Sequence, residues 1–271
     1  MVVVSFQIVL TPVELDRLAA TRFADVRWVS DIGSTNATLL DEARDGAPEG
    51  RVLVADHQSA GRGRMGRTWQ AQPGSSLLVS LLVRPDLPVD RLHLVTVAAG
   101  AAAADACGTV AGVAPSLKWP NDLLVGDRKL AGLLAESLVV GGRVEAVVVG
   151  MGLNVSWPDE LPDELAGTAI ALNHVVDAPV ERSALLTAYL EGVEARYASL
   201  LAGGVDELLA EHRRRCATLG QRVRVELVGG ASIEGVATDV TAEGHLIVET
   251  DDGTPREVTV GDVVHLRPTG G

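Results

Sequence analysis

The stretch His57-Gln58-Ser59-Ala60-Gly61-Arg62-Gly63-Arg64-Met65-Gly66-Arg67-Thr68-Trp69 guides the interpretation of the whole chain. Its centre, Gly61 to Arg67, holds three arginines and three glycines in seven residues. The 271-residue chain has only 23 lysines and arginines against 36 aspartates and glutamates. Glycines let backbone amides approach an anion, and guanidinium groups bind phosphate or carboxylate oxygens two at a time. The stretch therefore predicts a local anion-binding loop, although a solvated mobile loop has the same composition.

Two common glycine-rich sites fit this loop poorly. Gly61, Gly63 and Gly66 match the spacing of a dinucleotide-binding fingerprint, but that site needs a helix to begin directly after the glycines. Here the chain breaks at Pro73-Gly74 and then enters an apolar strand. A kinase-type loop needs a later His-Arg-Asp catalytic segment, which the sequence lacks. The pattern argues against both classes.

Composition limits the compartment and the partners. The net charge of -13 argues against a general nucleic-acid or anionic-membrane surface. Two distant cysteines, Cys107 and Cys216, are typical of buried thiols in a reducing compartment. The apolar segment Met1 to Leu10 is too short to span a bilayer and lacks a basic region and a cleavage motif. We therefore expect a soluble, cytoplasmic protein with no nucleic-acid or membrane partner.

Outward from the loop, hydrophobic patterns predict an α+β domain with a mixed sheet. A buried strand, Arg51 to Asp56, leads into the loop, and another, Ser75 to Val83, follows it. Further strands are predicted at Val26 to Val29, on both sides of Trp119-Pro120, from Lys129 onward, and at Val144 to Val149. Helices are predicted from Thr11 to about Arg22, from Ser34-Thr35-Asn36 to about Asp45, from Asp90 to about Cys107, at Glu181 to Leu201 and at Val205 to Ala217. The segment Pro158 to Ala178 is predicted to be a loop that can hold one short helix.

The last part of the chain has a different pattern. From Gln221 onward, short alternating segments are separated by turns, and the last of them is Arg256 to Leu266. This pattern predicts a small SH3-like β-barrel of roughly 50 residues. A boundary near Ala217 to Gly220 divides the chain into a larger domain, 1–217, and a barrel, 218–271.

Two further stretches can carry chemistry. Ser34-Thr35-Asn36 lies where a strand gives way to a helix, so it is either a plain helix cap or a cluster of polar groups around a ligand. Lys129 opens an otherwise apolar strand, shortly after Lys118, Asn121 and Asp122. A lysine at a strand start is usually a surface residue. Held about 4 Å from a developing anion, however, its charge is worth roughly 4 kcal/mol at an effective dielectric constant of about 20.

Five motifs in this order resemble the biotin protein ligase family. They are Gly33-Ser-Thr-Asn36, Gly61-Arg-Gly-Arg-Met-Gly-Arg-Thr-Trp69, Lys118-Trp-Pro-Asn-Asp122, Lys129-Leu-Ala-Gly132 and Gly150-Met-Gly-Leu-Asn154. The resemblance covers about residues 26 to 155, and the predicted barrel fits the small domain of the family. It implies a biotin/lipoate ligase-type fold and a two-step reaction. Biotin first becomes biotinyl-5′-AMP, with release of pyrophosphate, and a carrier lysine then takes the biotinyl group from AMP.

The resemblance also implies roles for individual residues. Lys129 and Arg64 are expected to be catalytic, and Asp122 to contact the metal. The expected biotin-binding residues are Ser34, Thr35, Asn36, Gln58, Gly61, Arg62, Gly63, Arg64, Lys129 and Gly132. The expected ATP- or adenylate-binding residues are Arg62, Arg64, Arg67, Trp69, Lys118, Asn121 and Asn154. ATP and Mg²⁺ are expected as co-substrates and biotin as the substrate, without a tightly bound cofactor.

The expected partner is a biotin carboxyl carrier domain of acyl-CoA or pyruvate carboxylases, with the enzyme a monomer or weak homodimer. The chain departs from the family pattern at Met65, where many members have a basic residue, and at Met151, where a smaller residue is usual. No DNA-binding domain precedes the motifs, so we expect a monofunctional enzyme without a repressor role.

Three alternatives remain at this stage. Lipoate ligases and octanoyltransferases are similar in fold and acceptor, although the arginine loop and Lys118 to Asp122 favour biotin. A binding protein for biotin or nucleotide would bind ligand without releasing pyrophosphate. A transcription factor is disfavoured by the net charge of -13 and by the absence of a helix-turn-helix pattern.

Overall fold

The structure is a computed structural model that describes residues 10–159, 161, 163–227 and 229–266. The prediction for the segment Met1 to Leu10 thus lies outside the described residues, except at Leu10 itself. The helices are α1 (Pro12–Ala19), α2 (Thr35–Arg44), α3 (His93–Ala111), α4 (Asp163–Ala166), α5 (Arg182–Leu201) and α6 (Val205–Arg215). The strands are β1 (Asp25–Ile32), β2 (Arg51–Gln58), β3 (Ser76–Val83), β4 (Ser116–Lys118), β5 (Asp122–Val125), β6 (Arg128–Val140), β7 (Arg143–Asn154), β8 (Arg222–Glu226), β9 (Ser232–Val240), β10 (Leu246–Glu249), β11 (Pro255–Val258) and β12 (Asp262–His265).

Strands β1 to β7 form one sheet in the order β1-β2-β3-β7-β6-β5-β4. β1 and β2 are parallel, and the other neighbouring pairs are antiparallel. The prediction of an α+β fold with a mixed sheet is therefore confirmed. β6 and β7 are longer than predicted because they continue into one hairpin through Gly141 and Gly142, which both have positive φ angles.

Strand β3 is buried along its whole length because helices cover both faces of the sheet. Alternate residues such as Leu77 and Leu81 pack in the main core with α3 and α5. Leu82, on the opposite face, packs with Leu39 and Leu40 of α2. Side chains alternate between the two faces of a strand, so burial on both sides explains the continuous apolar run.

Two helix boundaries differ from the prediction. Thr11 and Glu14 form the predicted capping box, but α1 ends at Ala19 rather than near Arg22, because the chain turns there to enter β1. α3 begins at His93, after a short 3₁₀ turn, and ends at Ala111, beyond the predicted end.

Helix α3 is a core helix that packs against α5 as well as the sheet. Gly192 of α5 approaches it so closely that an added Cβ would lie 3.1 Å from the Cβ of Ala102. By length and composition alone, the segment Val89–Ala111 could cross a membrane, but 67% of its most apolar 18-residue window is buried inside the protein. Its apolar composition is explained by this burial.

Strands β8 to β12 form a five-stranded antiparallel sheet in the order β11-β10-β9-β8-β12. The predicted last segment, Arg256 to Leu266, is wrong as one strand: it divides into β11 and β12. Gly261 lies at the division, where a Cβ would lie 2.6 Å from a methyl carbon of Val225. The domain boundary after residue 217 stays a prediction, as does the structure of residues 267–271, which lie outside the described part.

Candidate active site

A cavity lies between the arginine loop, the start of α2, the surface of β6 and β7, and the start of β12. Most of the predicted site residues line it, namely Ser34, Thr35, Asn36, Gln58, Arg62, Gly63, Arg64, Arg67, Trp69, Asn121, Asp122, Lys129 and Gly132. The remaining three, Gly61, Lys118 and Asn154, are described residues that do not line it. The fold thus brings all five sequence motifs to one place, since Gly150, Met151 and Gly152 also line the cavity.

The polar end of the cavity is built on the first turn of α2. Ser34 caps the helix, as its Oγ accepts a hydrogen bond from the Ala37 amide. Gln58 Oε1, at the end of β2, accepts hydrogen bonds from the Thr35 amide (2.7 Å) and the Thr35 hydroxyl (3.0 Å). The capping interpretation and the ligand-site interpretation are therefore compatible, because Ser34 caps the helix that presents Thr35 to the cavity.

Ser80 fixes these groups from below and was not predicted from the sequence. Its hydroxyl is fully buried on β3 and lies 2.6 Å from Asn36 Oδ1 and 2.7 Å from Thr35 Oγ1. Asn36 Oδ1 can only accept, so the single Ser80 proton goes to Asn36. The Thr35 hydroxyl proton is then shared between Ser80 and Gln58. This arrangement sets the donor and acceptor roles of Ser80 and Asn36, and it leaves the Thr35 hydroxyl between two acceptors.

Asn36 has no free amide hydrogen in this arrangement. Its Nδ2 donates to the Leu134 carbonyl (3.1 Å) and to Glu136 Oε2 (3.0 Å). Gly150 of β7 makes room for it, because a Cβ at that position would collide with Asn36 Oδ1. Glu136 and Gly150 were also not predicted. A lone glutamate within the apolar strand β6 is the sequence signal that could have identified Glu136.

The floor of the cavity is a pair of facing glycines. Gly132 of β6 and Gly152 of β7 are direct partners in the sheet. A Cβ on Gly152 would collide with the Trp69 indole, and one on Gly132 would lie 3.1 Å from Trp69 Cζ3. The Trp69 ring therefore lies directly on the backbone, and its buried Nε1 has no hydrogen-bond partner within the described part of the chain.

Met151, between Gly150 and Gly152, is 4% exposed and also borders the cavity. The larger side chain noted in the sequence is thus accommodated in the core below the floor.

Lys129 lies beside this floor with a carboxylate as its partner. Its Nζ is 2.7 Å from Asp122 Oδ1 and 5.5 Å from the centre of the Trp69 ring. The Lys129 amide donates to the Thr168 carbonyl, and the Lys129 carbonyl accepts from the Ile170 amide. The segment predicted as a loop at Pro158 to Ala178 thus pairs with β6 and fixes the backbone of the lysine.

Asn154 and Lys118 lie outside the lining of the cavity. Asn154 is 2% exposed, and its Nδ2 donates to the Ile170 carbonyl (3.0 Å), so it ties the end of β7 to the segment that pairs with Lys129. Burial lowers the pKa of His265, and the charge of Lys118 adds to this effect.

The residues of the motif Lys118 to Asp122 contact two different parts of the protein. Asn121 and Asp122 line the cavity, whereas Trp119 is buried in the core of the carboxyl-terminal sheet. The Trp119 indole donates to the Gly244 carbonyl (2.9 Å), and its amide donates to Thr218 Oγ1 (3.0 Å). The motif therefore joins the site to the second sheet, a role for Trp119 that sequence reasoning missed.

The three loop arginines have different partners. Arg62 Nη1 lies 3.2 Å from Glu136 Oε1, and Arg67 forms an ion pair with Asp262 at the start of β12. Arg64 donates to two neutral acceptors, Asn121 Oδ1 (3.2 Å) and the Gly261 carbonyl (3.3 Å).

The guanidinium of Arg64 is the cation best placed to accept an anion. Burial lowers its pKa, and the nearby carboxylates of Asp262 and Asp122 oppose that effect. Among the residues that the structure describes, no ion pair joins Arg64 directly to a carboxylate. A partly desolvated cation with neutral partners gains more from an incoming anion than a cation already paired.

The loop itself is a narrow hairpin. Arg62 bridges to Thr68, the Trp69 amide donates to the Gly61 carbonyl, and a Cβ on Gly61 would lie 2.5 Å from the Trp69 carbonyl oxygen. Met65, at the tip, has a φ angle of 54°, the one positive value at a non-glycine position within the described ranges. Such backbone is uncommon for methionine and marks the tip of a tight turn.

The comparisons with known proteins agree with this geometry. A model of the biotin/lipoate A/B protein ligase family matches residues 29–154, and a model of the biotin protein ligase carboxyl-terminal domain matches residues 218–266. The chain is 40% identical over 244 residues to a biotin–[acetyl-CoA-carboxylase] ligase of Mycobacterium tuberculosis, covering 88% of each chain. It is 33% identical to the bifunctional ligase/repressor BirA of Bacillus subtilis, covering 82% of this chain and 68% of that protein.

A solved structure supports the same assignment. The biotin protein ligase from Aquifex aeolicus in complex with biotin and ATP superimposes with a TM-score of 0.77 at 26% identity, covering 90% of this chain and 100% of that chain. The overall fold is thus shared with a solved relative, and the chain belongs to the biotin protein ligase family.

Proposed function

We propose that this protein is an ATP-dependent ligase that attaches biotin to a lysine of a biotin carboxyl carrier domain. The observation that carries the proposal is the cavity that places Arg64 and Lys129 opposite a polar end formed by Thr35, Asn36 and Gln58. The names of the relatives support biotin rather than lipoate as the substrate: the Mycobacterium tuberculosis protein is a biotin–[acetyl-CoA-carboxylase] ligase, and the Aquifex aeolicus structure holds biotin and ATP.

In the first step, a biotin carboxylate oxygen attacks the α-phosphorus of ATP. The new P–O bond forms as the bond to pyrophosphate breaks, which gives biotinyl-5′-AMP. Two anions must approach each other, so the positive charges of Arg64 and Lys129 stabilise the transition state. The Lys129 ammonium must exchange Asp122 for the substrate, whereas Arg64 can donate to a phosphate oxygen without losing a carboxylate partner.

In the second step, the neutral amine of the carrier lysine attacks the carbonyl carbon of the mixed anhydride. The amide bond forms, AMP leaves with the electrons of the C–O bond, and the amine loses a proton to solvent. The hairpin of Arg62 to Thr68 shields the reactive anhydride from water until the carrier arrives.

The neutral bicyclic end of biotin needs hydrogen-bonding partners in a mostly apolar pocket. We assign this task to Ser34, Thr35, Asn36 and Gln58, with Val79 and Leu133 among the apolar neighbours. We assign the adenine to Trp69, whose ring lies so close to Gly152 that a Cβ there would collide with it.

Mg²⁺ enters this reaction bound to ATP. Asp122 is the carboxylate assigned to it, since Mg²⁺ is usually held by one or two carboxylates together with substrate phosphates.

We further propose that the enzyme works in the cytoplasm, as a monomer or weak homodimer, on the carrier domain of acyl-CoA or pyruvate carboxylases. The acetyl-CoA carboxylase ligases among its relatives support this partner class. The domain limits 1–217 and 218–271 belong to the same proposal, supported by the carboxyl-terminal domain match at residues 218–266.

The decisive experiment is transfer of labelled biotin to a purified biotin carrier domain with ATP and Mg²⁺. We expect labelling that requires ATP and the target lysine of the carrier and that excess lipoate does not reduce. Selective transfer of lipoate would assign the protein to the sister ligases. Biotin binding without pyrophosphate release or transfer would contradict the proposal and indicate a binding protein.

A further inference from the structure

Glu136 of β6 joins two parts of the site that are far apart in sequence. One carboxylate oxygen, Oε1, accepts from Arg62 Nη1 at 3.2 Å, and the other, Oε2, accepts from Asn36 Nδ2 at 3.0 Å. Arg62 belongs to the loop and Asn36 to the polar end of the cavity. The glutamate side chain is 25% exposed, so it lies at the rim between them.

The contact continues inward as a chain of hydrogen bonds. From Asn36 it passes through the buried Ser80 hydroxyl to Thr35 and then to Gln58 Oε1. Asn36 uses both amide hydrogens within the protein, so loss of the Glu136 carboxylate frees one of them and removes one of the contacts that hold the Asn36 side chain.

A surface ion pair alone would carry no such role. Arg62 is 51% exposed, and exposed pairs contribute little to stability. The second oxygen distinguishes this contact, because its partner, Asn36, is only 4% exposed. A carboxylate can accept on both sides, whereas a glutamine at the same place would turn an NH₂ group toward one of two donors. The bridge therefore requires the carboxylate.

We propose that Glu136 is a positioning residue that couples the loop to the ligand pocket, a role that rests on the proposed ligase function. It holds Arg62 over the mouth of the cavity and orients Asn36 for the ligand, without contacting the reacting atoms. Loss of the carboxylate loosens the loop and weakens biotin binding, while the charges of Arg64 and Lys129 are unchanged.

The kinetic test uses Glu136→Gln, with Glu145→Gln as the matched control. Glu145 lies on the adjacent strand β7 with an exposed side chain. We expect KM for biotin to rise about tenfold in Glu136→Gln, with kcat within about threefold of the wild-type value, because a charge-assisted hydrogen bond is lost outside the reacting centre. Glu136→Asp retains the charge but is one methylene shorter, so it should recover part of the affinity. An unchanged KM in Glu136→Gln, or an equal rise in Glu145→Gln, would overturn the inference.

A second measurement does not depend on ligase activity. Trypsin cleaves after arginine, so the rate of limited cleavage within the loop, after Arg62, Arg64 and Arg67, reports how often the loop opens. We expect faster loop cleavage in Glu136→Gln and Arg62→Ala than in wild type or Glu145→Gln, by several-fold at unchanged overall melting temperature. The double variant Glu136→Gln/Arg62→Ala should be cleaved after Arg64 and Arg67 no faster than the more rapidly cleaved single variant. Each substitution removes the same contact between Glu136 and Arg62, so their effects should not add.

The two proposals fail differently. If wild-type protein transfers no biotin, the ligase function is wrong, and the trypsin experiment still tests whether Glu136 holds the loop through Arg62. If wild-type protein is active but Glu136→Gln shows unchanged biotin KM and unchanged loop cleavage, the ligase function stands and the role of Glu136 is wrong. Additive effects of Glu136→Gln and Arg62→Ala on the cleavage rate would also contradict the proposal that Glu136 holds the loop through Arg62.

Discussion

Gly132 and Gly152 face each other across β6 and β7, and the indole of Trp69 lies on both. Neither glycine is required by its backbone, since neither has a positive φ angle. What both positions require is the absence of a side chain beneath an aromatic ring. This pair also places the Lys129 ammonium 5.5 Å from the centre of that ring, so the floor positions a cation and an aromatic surface together.

Gly152→Ala tests whether this floor serves the nucleotide. The new methyl group would collide with Trp69 and push the ring away from the sheet. We expect KM for ATP to rise at least about tenfold, because aromatic stacking on a base is worth roughly 1–3 kcal/mol. The control is Gly108→Ala in α3, where the added Cβ has an ordinary contact of 3.8 Å with the Val113 carbonyl. Steady-state kinetics with unchanged KM for ATP in Gly152→Ala would remove Trp69 from the nucleotide site.

Lys129→Ala is expected to abolish adenylate formation while the fold persists. The ammonium is the charge that meets the attacking carboxylate, and loss of one such electrostatic group typically reduces kcat by about 10²–10³. Pyrophosphate release with biotin and ATP measures this step, and thermal melting monitors folding. Arg128→Ala, one residue earlier and on the opposite face of β6, is the neighbouring control and should remain active. Wild-type pyrophosphate release by Lys129→Ala would refute the assigned role.

Arg64→Ala is expected to release biotinyl-AMP prematurely. Arg64 also holds the loop to Asn121 and the Gly261 carbonyl, so its loss removes both the phosphate contact and this closure. Leaked adenylate is measured as labelling of a lysine-rich bystander protein. Self-labelling is a poor readout, because the chain has only two lysines, Lys118 and Lys129. Bystander labelling no greater than that of wild type or of the exposed control Arg44→Ala would contradict this prediction.

The motifs predicted the cavity because their residue types reflect local chemistry. Charged residues and glycines lie within a few positions of one another in two motifs, Gly61 to Trp69 and Lys129 to Gly132. Such local combinations can be recognised in a sequence. Ser80 and Asp262 were missed because their roles depend on tertiary contacts. Ser80 lies 45 positions from Thr35, and Asp262 lies 195 positions from Arg67. Only the register of β3 and the placement of β12 bring them to the site.

The split of the last predicted strand has a similar cause. Alternation continues through Arg256 to Leu266, so the pattern alone does not show where the strand ends. The division is set by the close approach of Gly261 to Val225 of β8. Trp119 is the converse case: a motif residue that looked local is a core residue of the second sheet.

The buried His212 predicts loss of stability in mild acid. Its ring is 4% exposed, and neither ring nitrogen has a hydrogen-bond partner within the described residues. Burial, with smaller contributions from His93 and Arg213, lowers its pKa from 6.5 to about 4. The folded state therefore binds this proton less readily than the unfolded state. The contribution of His212 to the free energy of unfolding is therefore fully present above about pH 6.5 and is lost as the pH falls toward 4.

Between pH 7.5 and pH 5, this difference corresponds to a loss of about 2 kcal/mol in the free energy of unfolding. His212→Leu keeps an uncharged side chain at all pH values and should lose less stability over this range than wild type. Denaturant unfolding at both pH values measures the effect, with His174→Gln, a less buried histidine that contacts the Pro158 carbonyl, as the control. Parallel pH dependence in wild type and His212→Leu would show that this histidine does not carry the acid sensitivity. A flatter pH profile in His212→Leu, but not in His174→Gln, would assign the acid sensitivity to the imidazole of His212.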